Sequence, residues 1–277
     1  MNIKILKNLI THPKKFFLTD EWKQLPSWIK FPAIYIYKRI TREFKLDKQL
    51  LGYLVEFYNY AQHYENIPLT FHEGIKMLDI SWRFVNDLWK IMNPTSPDEI
   101  LKFYEVVPWY IFDIARTHML RSYRRLEKRI IEECRGKILN YGGGIGDLSV
   151  KLAMRGHDVT HLDVPGKTLE FAKYYFNKKR LNIKIIVVNE INVSLPDYYD
   201  TIICLEVIEH VPNPKDILQE LANKLRKNGR LIITQLDCKG SDESNPMHFK
   251  INFNAEELLN SMGLYKSNSY SWLWLKE

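Results

Sequence analysis

Four glycines fall within five consecutive positions, Gly142, Gly143, Gly144 and Gly146, directly after the short run Lys137–Asn140. A residue without a Cβ lets the chain turn sharply and lets another group approach the main chain where a side chain would intrude. Helical spacing begins at Leu148, so the stretch reads as a strand-to-helix turn whose helix opens with unpaired amide groups. Such junctions belong to sheets of parallel strands covered by helices on both faces.

The chain beyond the turn keeps that alternation. Strands are predicted near Lys137–Asn140, Asp158–Leu162, Ile183–Val188, Thr201–Leu205 and Arg230–Gln235, with helices near Leu148–Met154, Thr168–Asn177, Pro214–Leu225 and Ala255–Met262. Lys227-Asn228-Gly229 reads as the C-terminus of the Pro214 helix, being basic and able to turn left-handed. Upstream the pattern is helical: Leu50, Leu51, Leu54, Phe57 and Tyr58 make one apolar face, and Ile75, Leu78, Ile80, Phe84 and Leu88 another. Pro26, Pro32, Pro68, Pro94, Pro97 and Pro108 divide this part into short helices. Ser96-Pro97-Asp98-Glu99 has the form of a helix start, with a capping serine, a proline next and acids in the first turn. The expected class is therefore α/β, a doubly wound and mostly parallel sheet over 129–277 preceded by an all-helical domain over 1–128.

Composition sets limits on partners. An apolar fraction of 45% supplies a sizeable core, and no run approaches the roughly 18 apolar residues of a membrane span. At the N-terminus, His12, Pro13, Lys14 and Lys15 interrupt any signal-peptide core. Cys134, Cys204 and Cys238 stand far apart, without zinc-site spacing, and read as reduced thiols. Together these features predict a cytoplasmic protein with no integral membrane segment. Of the net charge of +7, +6 lies before Gly136, which suits either a solvated surface or an acidic partner such as nucleic acid. Lysines 4, 7, 14, 15 and 23 alternate with apolar residues, a pattern also compatible with peripheral contact at a membrane surface.

The second strand ends at Asp163, about 20 residues past the glycines, where an acid accepts hydrogen bonds from a ribose hydroxyl pair; the other reading is an acid capping the turn at Pro165-Gly166. Asp147 stands where a dinucleotide enzyme wants its last glycine, which favours an adenosine cofactor without a pyrophosphate.

At the fourth strand, Tyr199-Asp200-Thr201-Ile202-Ile203-Cys204-Leu205-Glu206-Val207-Ile208-Glu209-His210-Val211-Pro212-Asn213-Pro214 resembles the class I S-adenosylmethionine-dependent methyltransferases, notably the quinone-biosynthesis O-methyltransferases. The resemblance covers about half the chain and implies a Rossmann-like domain. It implies further that the Gly142, Gly144 and Gly146 backbone, with Asn140 before it, holds the methionine part of S-adenosyl-L-methionine, and that Asp163 holds the ribose. Asn189, Glu190 or Ile191 would flank the adenine, while Glu206 and Val207 would line the floor under the methyl group. Two departures stand out: Asn140 replaces the family's usual acid, and the acid after the third strand is not cleanly present.

Methyl transfer requires alignment, exclusion of water and, for a hydroxyl acceptor, removal of a proton. His210 is the best-placed base at the carboxyl edge of the sheet, against a reading as turn packing before Pro212. His248 in the loop after the fifth strand is the second candidate, and Glu209 reads as a solvated acid. His157 and His161 read as surface and edge packing, Cys204 as buried, and no set of residues shows metal spacing. The helical domain then becomes a lid that binds a small acceptor, apolar or aromatic in view of Tyr104–Phe112. Methylation of oxygen is favoured; methylation of RNA and a non-catalytic cofactor-binding subunit remain as alternatives. The family's two final strands would have to fit within Leu264–Glu277.

Overall fold

The computed structural model describes residues 71–107, 110–188 and 194–277. The lysine-rich N-terminal stretch and residues Asn189, Glu190 and Ile191 lie outside them. Two compact units make up the chain: Met1–Ile80 with Ala115–Leu126, and Ser81–Ile114 with Glu127–Glu277. In the first unit His118 stacks on Tyr123, ring centroids 4.1 Å apart. The second holds the sheet, together with Ser81–Ile114, which the sequence groups with the helical part.

Helices α1 (Phe71–Met92), α2 (Pro97–Val106), α3 (Tyr110–Met119) and α4 (Arg121–Glu133) precede strand β1 (Lys137–Tyr141). After it come α5 (Asp147–Ala153), β2 (Asp158–Asp163), α6 (Lys167–Lys178), β3 (Lys184–Val187) and β4 (Tyr199–Cys204). A 3-10 turn at Ile208–His210, α7 (Pro214–Lys224), β5 (Leu225–Ile233), α8 (Ala255–Ser261), β6 (Leu264–Lys266) and β7 (Leu273–Lys276) complete the order. The start of α2 follows its sequence signal: the Ser96 hydroxyl accepts from Glu99 N–H at 3.3 Å while the Glu99 carboxylate accepts from Ser96 N–H at 2.9 Å.

Seven strands form one sheet in the order β3-β2-β1-β4-β5-β7-β6. The first five pair in parallel and β7 runs antiparallel to both β5 and β6. Strand β1 lies at the centre, with Leu139 opposite Thr160 of β2 and Ile202 of β4. Ile138, Leu139, Ile202 and Ile203 are fully buried, as apolar strands covered on both faces must be. The winding direction reverses between β1 and β4, so a crevice opens at the carboxyl ends of those two strands, where sheets of this kind bind ligands. A buried cluster in which Lys151 of α5 pairs with Glu127 of α4 and with Asp147 ties the preceding helix to the sheet.

One sequence expectation is adjusted. Helix α7 stops at Lys224, and Lys227-Asn228-Gly229 lies within β5, where the register to β4 jumps between Tyr199↔Leu225 and Thr201↔Arg230. Asn228 takes φ 61° there, so its left-handed turn forms an irregularity in the strand rather than the end of the helix. Both final strands are present, short as the remaining length demands. Among the described residues no helix is long and apolar enough to cross a membrane.

Since Leu139 is fully buried between two strands, Leu139→Ala is expected to lower stability by about 3 kcal/mol. The urea denaturation midpoint measures the change.

Candidate active site

The glycine turn follows from what crowds it. At Gly142, φ is +65° and a Cβ would overlap the Val207 side chain. At Gly143 a Cβ would overlap the His161 ring and approach the Asn140 amide, so any side chain there would force the turn off its support. The turn is fastened to the end of β2: Gly143 N–H donates to Leu162 O at 3.0 Å, and Gly144 N–H to Asp163 Oδ2 at 2.5 Å. Asp163 Oδ1 accepts from Val164 N–H at 2.8 Å. Each carboxylate oxygen thus has one backbone donor and retains a further lone pair for another. Burial pushes the Asp163 pKa up to about 6, against the pull of the Gly144 and Val164 amides. Asn140 is buried and its side-chain amide donates to Ser149 Oγ at 3.0 Å.

Helices α2 and α3 reach the same edge of the sheet. A Cβ at Gly144 would stand 3.5 Å from the Ile114 δ-methyl, and Gly166 packs against the backbone of Tyr104 and Glu105. Trp89 meets Phe103 edge-on at 4.9 Å, and Tyr104 meets Tyr110 at 5.3 Å.

Beyond β4 lies a second group of side chains. Glu206 is exposed in a left-handed conformation, φ 52°, with Oε2 accepting from Gln235 Nε2 at 2.9 Å and its N–H donating to Thr234 Oγ1 at 2.9 Å. The Val207 side chain fills the space beside Gly142 of the glycine turn. The 3-10 turn carries Glu209 and His210, and the loop after β5 is held against it by Phe249 N–H donating to Glu209 O at 2.6 Å. This contact brings His248 to His210, ring centroids 4.8 Å apart. His210 Nδ1 lies 3.2 Å from the Tyr104 hydroxyl, and Nε2 is 3.9 Å from Glu209 Oε1. Cys238 Sγ stands 3.8 Å from His248 Nδ1.

The Glu209 carboxyl is fully buried and neither oxygen has a hydrogen-bond partner. Its pKa rises to about 8, first through burial and then through the charge of Glu206. His210 is lowered to about 3 by burial and by His248, and burial lowers His248 as well. Near neutral pH the group is therefore uncharged. Its three donor atoms lie within 4.8 Å of one another, a set able to hold a divalent cation through two imidazoles and a carboxylate.

The fold thus gathers Asn140, Gly142, Gly144, Gly146, Asp163 and Val207 around the turn, and His210 with His248 beside it. Asn189 and Glu190 lie outside the described residues. Two sequence readings are corrected: Glu209 is fully buried rather than solvated, and His161 lies fully buried beneath the turn rather than at an edge. Glu209, His210 and His248 share no metal spacing in sequence and come together only by folding. No short-range pattern links Glu209 to His248 or Tyr104 to His210, because these contacts join separate elements. Cys204 is buried as expected, its thiol pKa pushed up by burial.

Residues 139–233 match the family described as a methyltransferase domain. Over 149 residues the chain is 28% identical to the ubiquinone biosynthesis O-methyltransferase of Nitrosomonas europaea, an alignment covering 51% of this chain and 63% of that relative. Over 103 residues it is 32% identical to the protein of the same name from Dechloromonas aromatica, covering 36% and 44%. A solved structure, magnesium protoporphyrin IX methyltransferase from Synechocystis PCC 6803, aligns with TM-score 0.47 at 15% identity over 73% of this chain and 99% of that one. The chain spans less than two thirds of the length of these two curated relatives.

A buried acid with a raised pKa binds its proton more tightly in the folded state, so stability falls as pH rises through the interval between its unfolded and folded values. For Glu209 that interval runs from 4.5 to about 8; Asp163 leaves it near 6 and His210 titrates lower. Glu209→Gln is expected to flatten the fall in urea midpoint between about pH 6.5 and 8. An unchanged slope would place the titrating group elsewhere.

Proposed function

We propose that this chain, which carries a methyltransferase domain over residues 139–233, transfers a methyl group from S-adenosylmethionine to a hydroxyl of a small-molecule acceptor. The observation that carries the reading is a glycine turn fastened to Asp163 at the reversal point of the sheet, with an uncharged Glu209–His210–His248 group at the next strand. The turn's backbone receives the methionine part, and the remaining Asp163 lone pairs receive the ribose hydroxyls. Glu206 and Val207 form the floor. S-adenosylmethionine supplies an already activated sulfonium, so the protein's work is alignment, desolvation and removal of one proton. The C–S bond breaks as the C–O bond forms, and the hydroxyl proton goes to the protein.

His210 Nε2 is the receiving atom when Nδ1–H donates to the Tyr104 oxygen. Burial leaves that imidazole a weak base while Glu209 is protonated. Loss of the Glu209 proton puts a carboxylate beside Nε2 and favours the imidazolium. Tyr104 packs on His210 and belongs to an aromatic cluster with Trp89, Phe103 and Phe249, which supports a flat, apolar acceptor. Three buried free thiols support a cytoplasmic location.

The cation reading rests on the donor set itself: a divalent ion held there would lower the pKa of an acceptor hydroxyl. Dialysis against a chelator separates the two, since loss of turnover restored by added metal favours the ion and unchanged turnover favours the proton role.

Three outcomes are expected. His210→Gln lowers kcat by about 100-fold or more while S-adenosylhomocysteine affinity, measured by calorimetry, stays within about twofold; equal losses in both would remove the base role. Affinity for S-adenosylhomocysteine weakens as pH falls through 6, because ribose hydroxyls donate to the ionised form of Asp163. Asp163→Asn abolishes that binding, since an amide nitrogen cannot accept from a backbone N–H.

A further inference from the structure

Beneath the glycine turn runs a chain of buried polar side chains with no part in the chemistry above. Asn140 and His161 are direct neighbours in the β1–β2 register, and Ser149 comes down on them from the first turns of α5. The Asn140 amide donates to Ser149 Oγ at 3.0 Å, and Ser149 Oγ lies 3.0 Å from His161 Nδ1. Asn140 is 4% exposed, and Ser149 and His161 are wholly buried. The His161 ring meets Phe176 edge-on at 5.2 Å, and Phe176 also fills the space beside Gly146.

The Asn140 amide donates to the Ser149 hydroxyl, whose oxygen has two lone pairs. The imidazole tautomer sets the direction of the Ser149–His161 contact. In the order Asn140 to Ser149 to His161 the hydroxyl donates to Nδ1 and the ring proton sits on Nε2, an atom buried without a hydrogen-bond partner; in the reverse order Nδ1–H donates to the hydroxyl. An apolar ring would fill the same space without burying a polar group. What the ring supports is Gly143, where a Cβ would overlap the imidazole and the Asn140 amide, one residue before the N–H that binds Asp163.

We propose that Asn140, Ser149 and His161 form a hydrogen-bonded strut under the glycine turn, with His161 a positioning residue that sets the turn's shape for the cofactor through Gly143. Burial keeps the imidazole neutral, its pKa lowered to about 4, against the pull of the Gly144 backbone and Asp147. The inference rests on the proposed binding of S-adenosylmethionine, and the first measurement tests that separately: a wild-type chain that does not bind S-adenosylhomocysteine removes the cofactor reading itself.

Calorimetry with S-adenosylhomocysteine on the full chain compares wild type with Ser149→Ala and His161→Phe. Loss of one buried hydrogen bond from the support is expected to weaken binding about tenfold in each, beyond what the unfolded fraction at that temperature explains. A lowered melting temperature with affinity within about twofold of wild type would make the chain merely structural and overturn the proposal. Where His161→Phe fails to fold, Ser149→Ala decides alone. Nitrogen-15 spectra of the imidazole supply the second readout. Wild type is expected to show Nδ1 bare and Nε2 protonated, and Asn140→Asp to protonate Nδ1, because a carboxylate draws the serine proton and reverses the chain. An imidazole with the same proton positions in both proteins would also overturn the proposal.

Discussion

The carboxylate of Asp163 joins the end of β2 to the glycine turn that follows β1. Through Oδ2 it holds Gly144 of the turn after β1, and through Oδ1 it holds Val164 of its own strand end. A charge-assisted bond to a backbone amide is among the stronger hydrogen bonds, and here it sets the distance between the turn and the edge of β2. Burial that raises the pKa of this acid also strips competing water from it. The same group is thus a brace for the fold and an acceptor with capacity left over.

Around that brace the protein buries polar groups on both sides of the turn for different reasons. Below it, Asn140, Ser149 and His161 are joined in sequence and leave the imidazole Nε2 without a hydrogen-bond partner. Beyond β4, the Glu209 oxygens have no partner, and the adjacent His210 is turned toward Tyr104. An unpaired buried carboxyl adds nothing to stability. Its presence at the carboxyl edge, beside two imidazoles, fits a group that gains its partner only when the site is at work.

The helices before the sheet take part through a few contacts. Tyr104 from α2 reaches His210 and Ile114 from α3 stands over the glycine turn. Both belong to the compact unit of the sheet, so these side chains and the glycine turn share one unit.

Alternation of short apolar runs with helical spacing was enough to identify the five parallel strands, and the glycines with Asp163 marked the carboxyl ends of β1 and β2, because these signals depend on residues near in sequence. Ser96 and Glu99 likewise declared a helix start that local hydrogen bonds complete. The register jump in β5 was hidden, since Lys227-Asn228-Gly229 satisfies a helix end and a strand irregularity equally well. Burial of Glu209 and His161, and the meeting of Tyr104, His210 and His248, were decided by tertiary structure alone. Each depends on segments far apart in the chain being packed against one another, and the protonation of a side chain follows from what surrounds it rather than from what adjoins it in sequence.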